Sequence, residues 1–250
     1  MLINFANKVA NKFGYKINIE KSNFPFDIKD NKEFMGFYTQ CQKYTMTSLE
    51  RMFSLYQSIN YILDNNIEGD FVECGVWRGG SSMMMSLMLK SRNVSDRKIY
   101  LYDTFEGMSE PSELDKTAKG VSATDLMKSE KIDDERSVWC YSSLDNVKNN
   151  LYSTGYPMEN LIFIQGKVED TLTKNIPGKL ALLRLDTDWY ESTKIELEVL
   201  YPLLVEKGVL IIDNFGHWEG AKKAVLEYFK SSNNHPLLHR IDYTGRLMIK

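Results

Sequence analysis

Two carboxylates two positions apart, Asp186 and Asp188 in the stretch LALLRLDTDWYEST (180–193), break off an apolar run and stand directly before helix-patterned sequence. If the chain stays extended there, side chains alternate with period two and both carboxylates point to one side. A second apolar run, GVLIID (208–213), ends in the same way on Asp213 and Asn214. Three carboxylates and an amide oxygen on one rim are a donor set for a hard cation, best matched by Mg²⁺ with water or substrate hydroxyls completing the shell. No Cys or His cluster competes for a zinc reading. Asp186 ends an apolar strand, so its charge needs a cation, a hydrogen-bond donor or solvent. Asp188 has two readings, a general base or a helix cap, because Glu191 follows three residues on as in a capping box. His217 is a rival base, although a single histidine in a helix-entry loop is more often a surface or capping residue.

A second constellation lies earlier in the chain. The stretch ECGVWRGGSS (73–82) puts Glu73 near the end of an apolar run, Gly75 in a turn, and Gly79 with Gly80 where a helical pattern starts. Glycine lets a ligand approach the backbone closely, and a helix N-terminus offers unpaired N–H groups. The spacing is not the G-x-G-x-x-G of a dinucleotide turn, which argues against a nicotinamide-dependent oxidoreductase. The next apolar run ends in Asp103, where a carboxylate can accept hydrogen bonds from both hydroxyls of a ribose. A nucleoside-bearing cofactor follows, with an acidic cap after a strand as the plainer reading.

The elements that must position these residues alternate between strand-length apolar runs and helical patterns, which reads as α/β. Strands are expected at 70–76, 99–103, 161–166, 180–186 and 208–213, with a late hairpin at 238–244 and 246–250. The first five are mostly unbroken apolar runs, as parallel strands buried on both faces should be. Helices are expected at 47–63, 81–90, 192–204 and 219–230. In such a sheet ligands bind at the carboxyl ends of the strands where the strand order reverses, and the residues above sit at those ends. Residues 106–160 are the least regular part, expected to carry insertions or a mobile flap. Leu2, Phe5, Ala6, Val9 and Phe13 share one face of an N-terminal helix without forming a signal-peptide core.

Composition narrows the function classes. With 250 residues, of which 43% are hydrophobic, the chain can bury one sizeable core. A net charge of −3, from 31 basic and 34 acidic residues mixed along the chain, leaves no footprint for a phosphate backbone, so no nucleic-acid partner is expected. Three cysteines, 41, 74 and 140, form no CxxC pair and fit a reducing, cytoplasmic location. No apolar run reaches the length of a transmembrane segment. A homo-oligomer is left open.

Taken together, YTMTSLER (44–51), GDFVECGVWRGGSS (69–82), LYDTFEGM (101–108), LRLDTDWYEST (183–193), LYPLL (200–204) and GVLIIDNFGHWEGAKKAV (208–225) closely resemble the macrocin and mycinamicin O-methyltransferase family over about residues 40–230. The resemblance implies a doubly wound, Rossmann-like class I methyltransferase sheet, mostly parallel, with a C-terminal antiparallel hairpin. It implies an N-terminal helical extension or lid over 1–40 and a methyltransferase domain over 41–250. The implied activity is transfer of a methyl group from S-adenosylmethionine to a hydroxyl of a sugar-containing metabolite or glycan, assisted by Mg²⁺. On this reading Glu73, Cys74, Gly75, Val76 and Trp77 lie against the methionine part of the cofactor. Asp103, Thr104, Phe105, Glu106 and Gly107 take its ribose and adenine side, and Thr45 and Met46 close over it. Gly166 and Lys167, after the third strand, and Ser143 complete the cofactor set. Asp186, Asp213 and Asn214 correspond to metal ligands and Asp188 to a base. The family usually has two aspartates where this chain has Asp213 and Asn214; an amide oxygen still coordinates Mg²⁺, with one negative charge fewer. A noncatalytic module that binds S-adenosylmethionine is the alternative from another class.

Overall fold

The computed structural model describes residues 25–130, 137–232 and 235–250. The expected N-terminal amphipathic face, and residues 131–136 of the charged run in the expected flap, lie outside the described residues. The chain divides into two units, Met1–Asn31 and Lys32–Lys250. The described part of the first holds one helical turn, α1 (Phe26–Lys29), opened by Pro25.

The second unit runs α2 (Lys32–Cys41), α3 (Leu49–Asp64), β1 (Asp70–Cys74), α4 (Gly80–Ser91), β2 (Ile99–Asp103), α5 (Ala123–Ser129), α6 (Leu144–Tyr152), β3 (Leu161–Gln165), α7 (Val168–Thr171), β4 (Leu180–Leu185), α8 (Tyr190–Leu200), β5 (Leu204–Ile212), α9 (Glu219–Ser231), β6 (His239–Arg240) and β7 (Arg246–Ile249). These strands form one seven-stranded sheet in the order β3-β2-β1-β4-β5-β7-β6. The first five are parallel, and β7 then runs antiparallel to β5 and β6 antiparallel to β7. The architecture is the doubly wound α/β sheet with a C-terminal antiparallel hairpin that the apolar runs predict. The order reverses between β1 and β4, so a crevice opens at their carboxyl ends.

Burial on both faces follows from sequence: every residue of β4 is buried, and so are four of the five in β1. One face carries Val72, Cys74, Leu183, Leu185, Leu210 and Ile212 into a core shared with α8 and α9. The opposite face, toward α3 and α4, carries Glu73 and Arg184, which are register partners on adjacent strands. Several boundaries differ from expectation: the strand expected at 238–244 is reduced to His239–Arg240, and those around α8 shift most. The helix after β4 ends at Leu200, a 3₁₀ turn containing Pro202 follows, and β5 begins at Leu204. Proline removes a backbone donor and ends the α-helix there, so the apolar run LYPLL belongs to two elements. The stretch 106–160 also contains two regular helices, α5 and α6, the latter capped by Ser143, whose Oγ accepts from Asn146 N.

At the switch point the ends of β1 and β4 meet backbone to backbone, Asp186 N donating to Cys74 O at 2.8 Å, while on the other side of β1 Gly75 N donates to Tyr102 O of β2 at 2.9 Å. Gly75 has φ +81°, and a Cβ there would overlap the Asp186 carbonyl. Both the left-handed conformation and the close approach require glycine. Gly75→Ala is expected to lower the thermal midpoint by several degrees, from strain of roughly 1–3 kcal/mol at about 2–4 °C per kcal/mol for a domain of this size. Calorimetry checks this; an unchanged midpoint would contradict the close approach.

Candidate active site

Arg184 is the hub of the crevice floor. Its guanidinium is 2% exposed and donates through Nη1 to Glu73 Oε1 at 2.7 Å and Asp186 Oδ2 at 2.8 Å. Through Nη2 it donates to Asp213 Oδ1 at 2.5 Å and Thr47 Oγ1 at 3.0 Å. Burial alone would lower its pKa, but the carboxylates of Asp186, Asp213 and Glu73 outweigh that cost and hold it charged. Glu73 also accepts from Ser82 Oγ of α4. A second cation arrives from the first turn of α3, which Ser48 caps by accepting from Arg51 N. Arg51 Nη1 donates to Asp213 Oδ2, and its Nε donates to Asp242 Oδ2 at 3.0 Å. Asp242 in turn accepts from Thr244 N and Gly245 N, which ties the tight turn between β6 and β7 to the crevice. Both arginines lie within motifs read from the sequence, yet neither was assigned a role. The available signal was a cation inside the apolar run LALLRL, which must find carboxylates.

Asp186 and Asp188 converge, though not because the chain stays extended. Asp188 has φ +72°, a left-handed conformation uncommon outside glycine. Both carboxylates are brought together by Asn214, whose Nδ2 donates to Asp186 Oδ1 at 2.7 Å and to Asp188 Oδ1. Asp188 does not cap α8. Trp189 is the N-cap residue and makes no capping bond through its side chain. The donor at Tyr190 N goes instead to Asp115 Oδ1 at 2.8 Å. Asp115 is 1% exposed and also accepts from Ser112 N and Oγ, so the insertion after β2 is stapled to the start of α8. The same insertion pairs with the entry to α9: Glu219 N donates to Lys116 O, and Ala118 N donates to His217 O. These contacts show that this part of the expected flap is bonded to the rim of the crevice.

Electrostatics distinguish the acids. Burial, only partly offset by Arg184, raises Asp186 to about 7. Burial and then the neighbouring charges of Asp186 and Asp213 push Asp188 well above the usual carboxylate range. A carboxyl in that state can hold a proton near neutrality. His217 moves the other way: burial and then Arg51 lower its pKa, leaving a neutral imidazole. Its ring packs 4.9 Å from Trp218 and 6.2 Å from Tyr243, centroid to centroid.

Above this floor lies a cavity of about 470 Å³. It is lined by Thr45, Met46, Glu73, Gly75, Val76, Trp77, Asp103, Thr104, Gly107, Gly166 and Lys167 from the expected cofactor set, and by Asp186, Asp188, Asp213, Asn214 and His217. Four expected cofactor residues are not among the lining. Cys74 alternates onto the opposite face and joins the core. Phe105 packs against Phe163, Glu106 is exposed, and Ser143 caps α6. Thr47, Arg51, Met108, Cys140 and Tyr243 line the cavity without having been expected there. Asp103 is engaged: Oδ2 accepts from Val76 N at 2.6 Å and Trp77 N at 3.1 Å, and Oδ1 from Phe105 N at 2.7 Å. It holds two ligand-facing turns together, and the Thr104 hydroxyl adds a longer contact to Oδ1 at 3.4 Å, so most of its acceptor capacity is spent within the chain. The buried indole Nε1 of Trp77 has no partner, which leaves a donor for a bound molecule. Glycine is needed again at Gly80, where a Cβ would lie 2.7 Å from Thr45 Cβ, because the segment ahead of α3 presses onto the first turn of α4.

The chain matches the macrocin O-methyltransferase (TylF) family over residues 8–250. It belongs to that family. A tetracenomycin-C 4'-O-methyltransferase of Streptomyces olivaceus, whose substrate bears a dimethoxy-rhamnosyl group, is 32% identical over 202 residues, covering 81% of this chain and 74% of that protein. The demethyldecarbamoylnovobiocin O-methyltransferase of Streptomyces niveus is 32% identical over 185 residues, covering 74% and 67%. The solved structure of the O-methyltransferase NovP superposes with a TM-score of 0.70 at 29% identity, covering 83% of this chain and 82% of that one. This chain is an S-adenosylmethionine-dependent O-methyltransferase with the class I sheet. The cavity suits that cofactor, because it combines a glycine-lined turn, an unpaired indole donor and a carboxylate at the end of β2.

The divalent cation expected from the resemblance fits less well. Both oxygens of Asp186 and both of Asp213 already accept from N–H groups, and Asn214 offers the pair Asp186 and Asp188 its nitrogen. Among the described residues no three His, Cys, Asp or Glu side chains are arranged to hold a metal.

Asp103→Ala strips acceptors from three backbone donors, each costing about 1–3 kcal/mol when left unpaired and buried. The expected result is a lower thermal midpoint together with at least about tenfold weaker binding of S-adenosylhomocysteine by titration calorimetry. A variant matching wild type in both measurements would contradict the bracing role.

Proposed function

We propose that this methyltransferase methylates a hydroxyl on the sugar of a small molecule or glycan, with Asp188 taking the hydroxyl proton directly. The observation that carries the proposal is the position of Asp188. Its carboxylate lines the cavity from a left-handed turn, and the helix cap it could have supplied comes from Asp115. A residue held in a sparsely populated conformation and released from a structural duty is a sound candidate for chemistry.

S-adenosylmethionine, when bound, supplies a methyl group activated on a sulfonium. The chain's own residues then have three tasks. Trp77 Nε1 and the turn braced by Asp103 hold the cofactor, with Thr45 and Met46 across the cavity and Gly166 and Lys167 beyond β3. Asp188 accepts the proton, since a free alcohol is a poor nucleophile near neutral pH. Its raised pKa suits it to that transfer, and neutral His217 is the second base within the cavity. Glu73 and Asp213, tied to Arg184, hold the floor in register. The Mg²⁺ assistance expected from sequence does not match the donors present, and no step here passes through a cation.

The sugar part of the reading is supported by the relatives, one of which is named for a rhamnosylated substrate. It is supported too by the cavity rim, where Trp218, His217 and Tyr243 set aromatic faces beside polar groups. Aromatic rings with a polar edge suit a hydroxylated ring that has one apolar face. Cys41, Cys74 and Cys140 are all free thiols, which supports a reducing, cytoplasmic setting. Among the described residues no helix is long and apolar enough to cross a membrane.

The test supplies S-adenosylmethionine labelled in the methyl group, together with small-molecule and glycan extracts of the producing cell. Wild type is expected to label a sugar-containing fraction. Asp188→Asn is expected to lower kcat by about 10²–10⁴-fold with S-adenosylhomocysteine affinity retained. Label that enters no sugar-containing fraction would contradict the acceptor class. An Asp188→Asn variant as fast as wild type would contradict the base.

A further inference from the structure

Asn214 occupies the place where the resemblance puts an anionic metal ligand. Its two amide hydrogens serve two carboxylates, Asp186 Oδ1 at 2.7 Å and Asp188 Oδ1. Both contacts are made by the amide nitrogen, so turning the amide over would set its oxygen toward the two acids and forfeit both bonds as they stand. We propose that in this chain the Asn214 amide replaces the divalent cation, clamping Asp186 beside Asp188, and that the site works without a bound metal.

The surrounding donors argue the same way. Asp186 Oδ2 takes Arg184 Nη1 at 2.8 Å, and Asp213 is spanned by Arg184 on Oδ1 and Arg51 on Oδ2. The attraction that a cation would supply to Asp186 and Asp213 thus comes from two fixed guanidiniums. A metal entering between Asp186 and Asn214 would have to reverse the amide, losing its bonds to both aspartates. Mg²⁺ sheds water reluctantly and holds to proteins through carboxylates, so a site that gives up one carboxylate and must also break two hydrogen bonds is a poor ligand set. The clamp has a positive role as well. The N–H on Asp188 Oδ1 fixes the carboxylate's rotation at a left-handed turn, and the Trp218 side chain adds a second hydrogen bond to it. Asn214 is thus a positioning residue for Asp188.

The inference rests on the cavity being an S-adenosylmethionine site with Asp188 as base, and the two can fail separately. Wild type and Asn214→Asp are stripped with chelator, loaded with S-adenosylhomocysteine and titrated with Mn²⁺, with free Mn²⁺ read by electron paramagnetic resonance. Cofactor binding is followed in the same samples. Wild type is expected to bind the cofactor product and leave Mn²⁺ free. Asn214→Asp, with a carboxylate restored and no amide hydrogens to lose, is expected to bind one Mn²⁺ per chain at least about tenfold more tightly. A wild type that takes up one Mn²⁺ per chain with cofactor product bound would overturn the inference. So would an Asn214→Asp variant that is folded and binds cofactor product yet gains no Mn²⁺ affinity, since Asn214 would then not be what excludes the metal. Failure of wild type to bind S-adenosylhomocysteine would instead count against the cofactor site on which the inference stands.

Discussion

A guanidinium cannot be buried in a parallel sheet without carboxylates around it, and that constraint at Arg184 organises the carboxyl ends of three strands. Its strand partner is Glu73, its own strand supplies Asp186 two residues on, and the neighbouring strand supplies Asp213. Each of these acids would be costly at its depth without the shared cation, and the cation would be costly without them. The network ties the floor of the crevice together through paired charges. Arg51 extends it to α3 and, through Asp242, to the turn between β6 and β7. Elements far apart in sequence thereby report to one point.

Given that floor, the remaining geometry follows. The close approach of β1 to β4 demands glycine at position 75, and the turn after it is pinned by Asp103 through Val76 N and Trp77 N. The chain leaving β4 turns sharply through Asp188 before α8 begins, and the donor that the turn leaves at Tyr190 is met by Asp115 of the insertion. The insertion therefore does structural work at the rim while Asp188 faces the cavity. Keeping Asp188 off the helix N-terminus suits a proton-transfer site, because a carboxylate spent there is stabilised in its charged form and makes a weaker base.

Much of this was legible in the sequence, for identifiable reasons. Apolar runs at strand spacing marked the five parallel strands, and acids at their ends marked the crevice, because both are local signals. Cases where a partner lay far along the chain were not legible. Arg184 was visible as a charge inside LALLRL, but Glu73 lies 111 positions away and Asp213 lies 29 away. The capping box around Asp188 and Glu191 satisfied a local pattern, and a residue 75 positions distant supplied the cap instead. Asp103 stood where a ribose ligand was expected, yet much of its bonding capacity goes to turns of the chain itself. Cys74, Phe105 and Glu106 were named as parts of contiguous motifs, whereas alternation along the strand and local packing turn their side chains away from the cavity. LYPLL reads as a single apolar run, with no polar residue to mark where the helix gives way at Pro202 to β5.

The central claim is that the Arg184 guanidinium holds the crevice together, and a double-mutant cycle in urea measures it most directly. Unfolding free energies of wild type, Arg184→Gln, Glu73→Gln and the double variant give both the cost of each change and the coupling between the two positions. The account predicts that Arg184→Gln alone costs about 3–5 kcal/mol, because it strands buried carboxylates, and that adding Glu73→Gln recovers part of the loss. An Arg184→Gln variant within about 0.5 kcal/mol of wild type, with no coupling to Glu73, would contradict it.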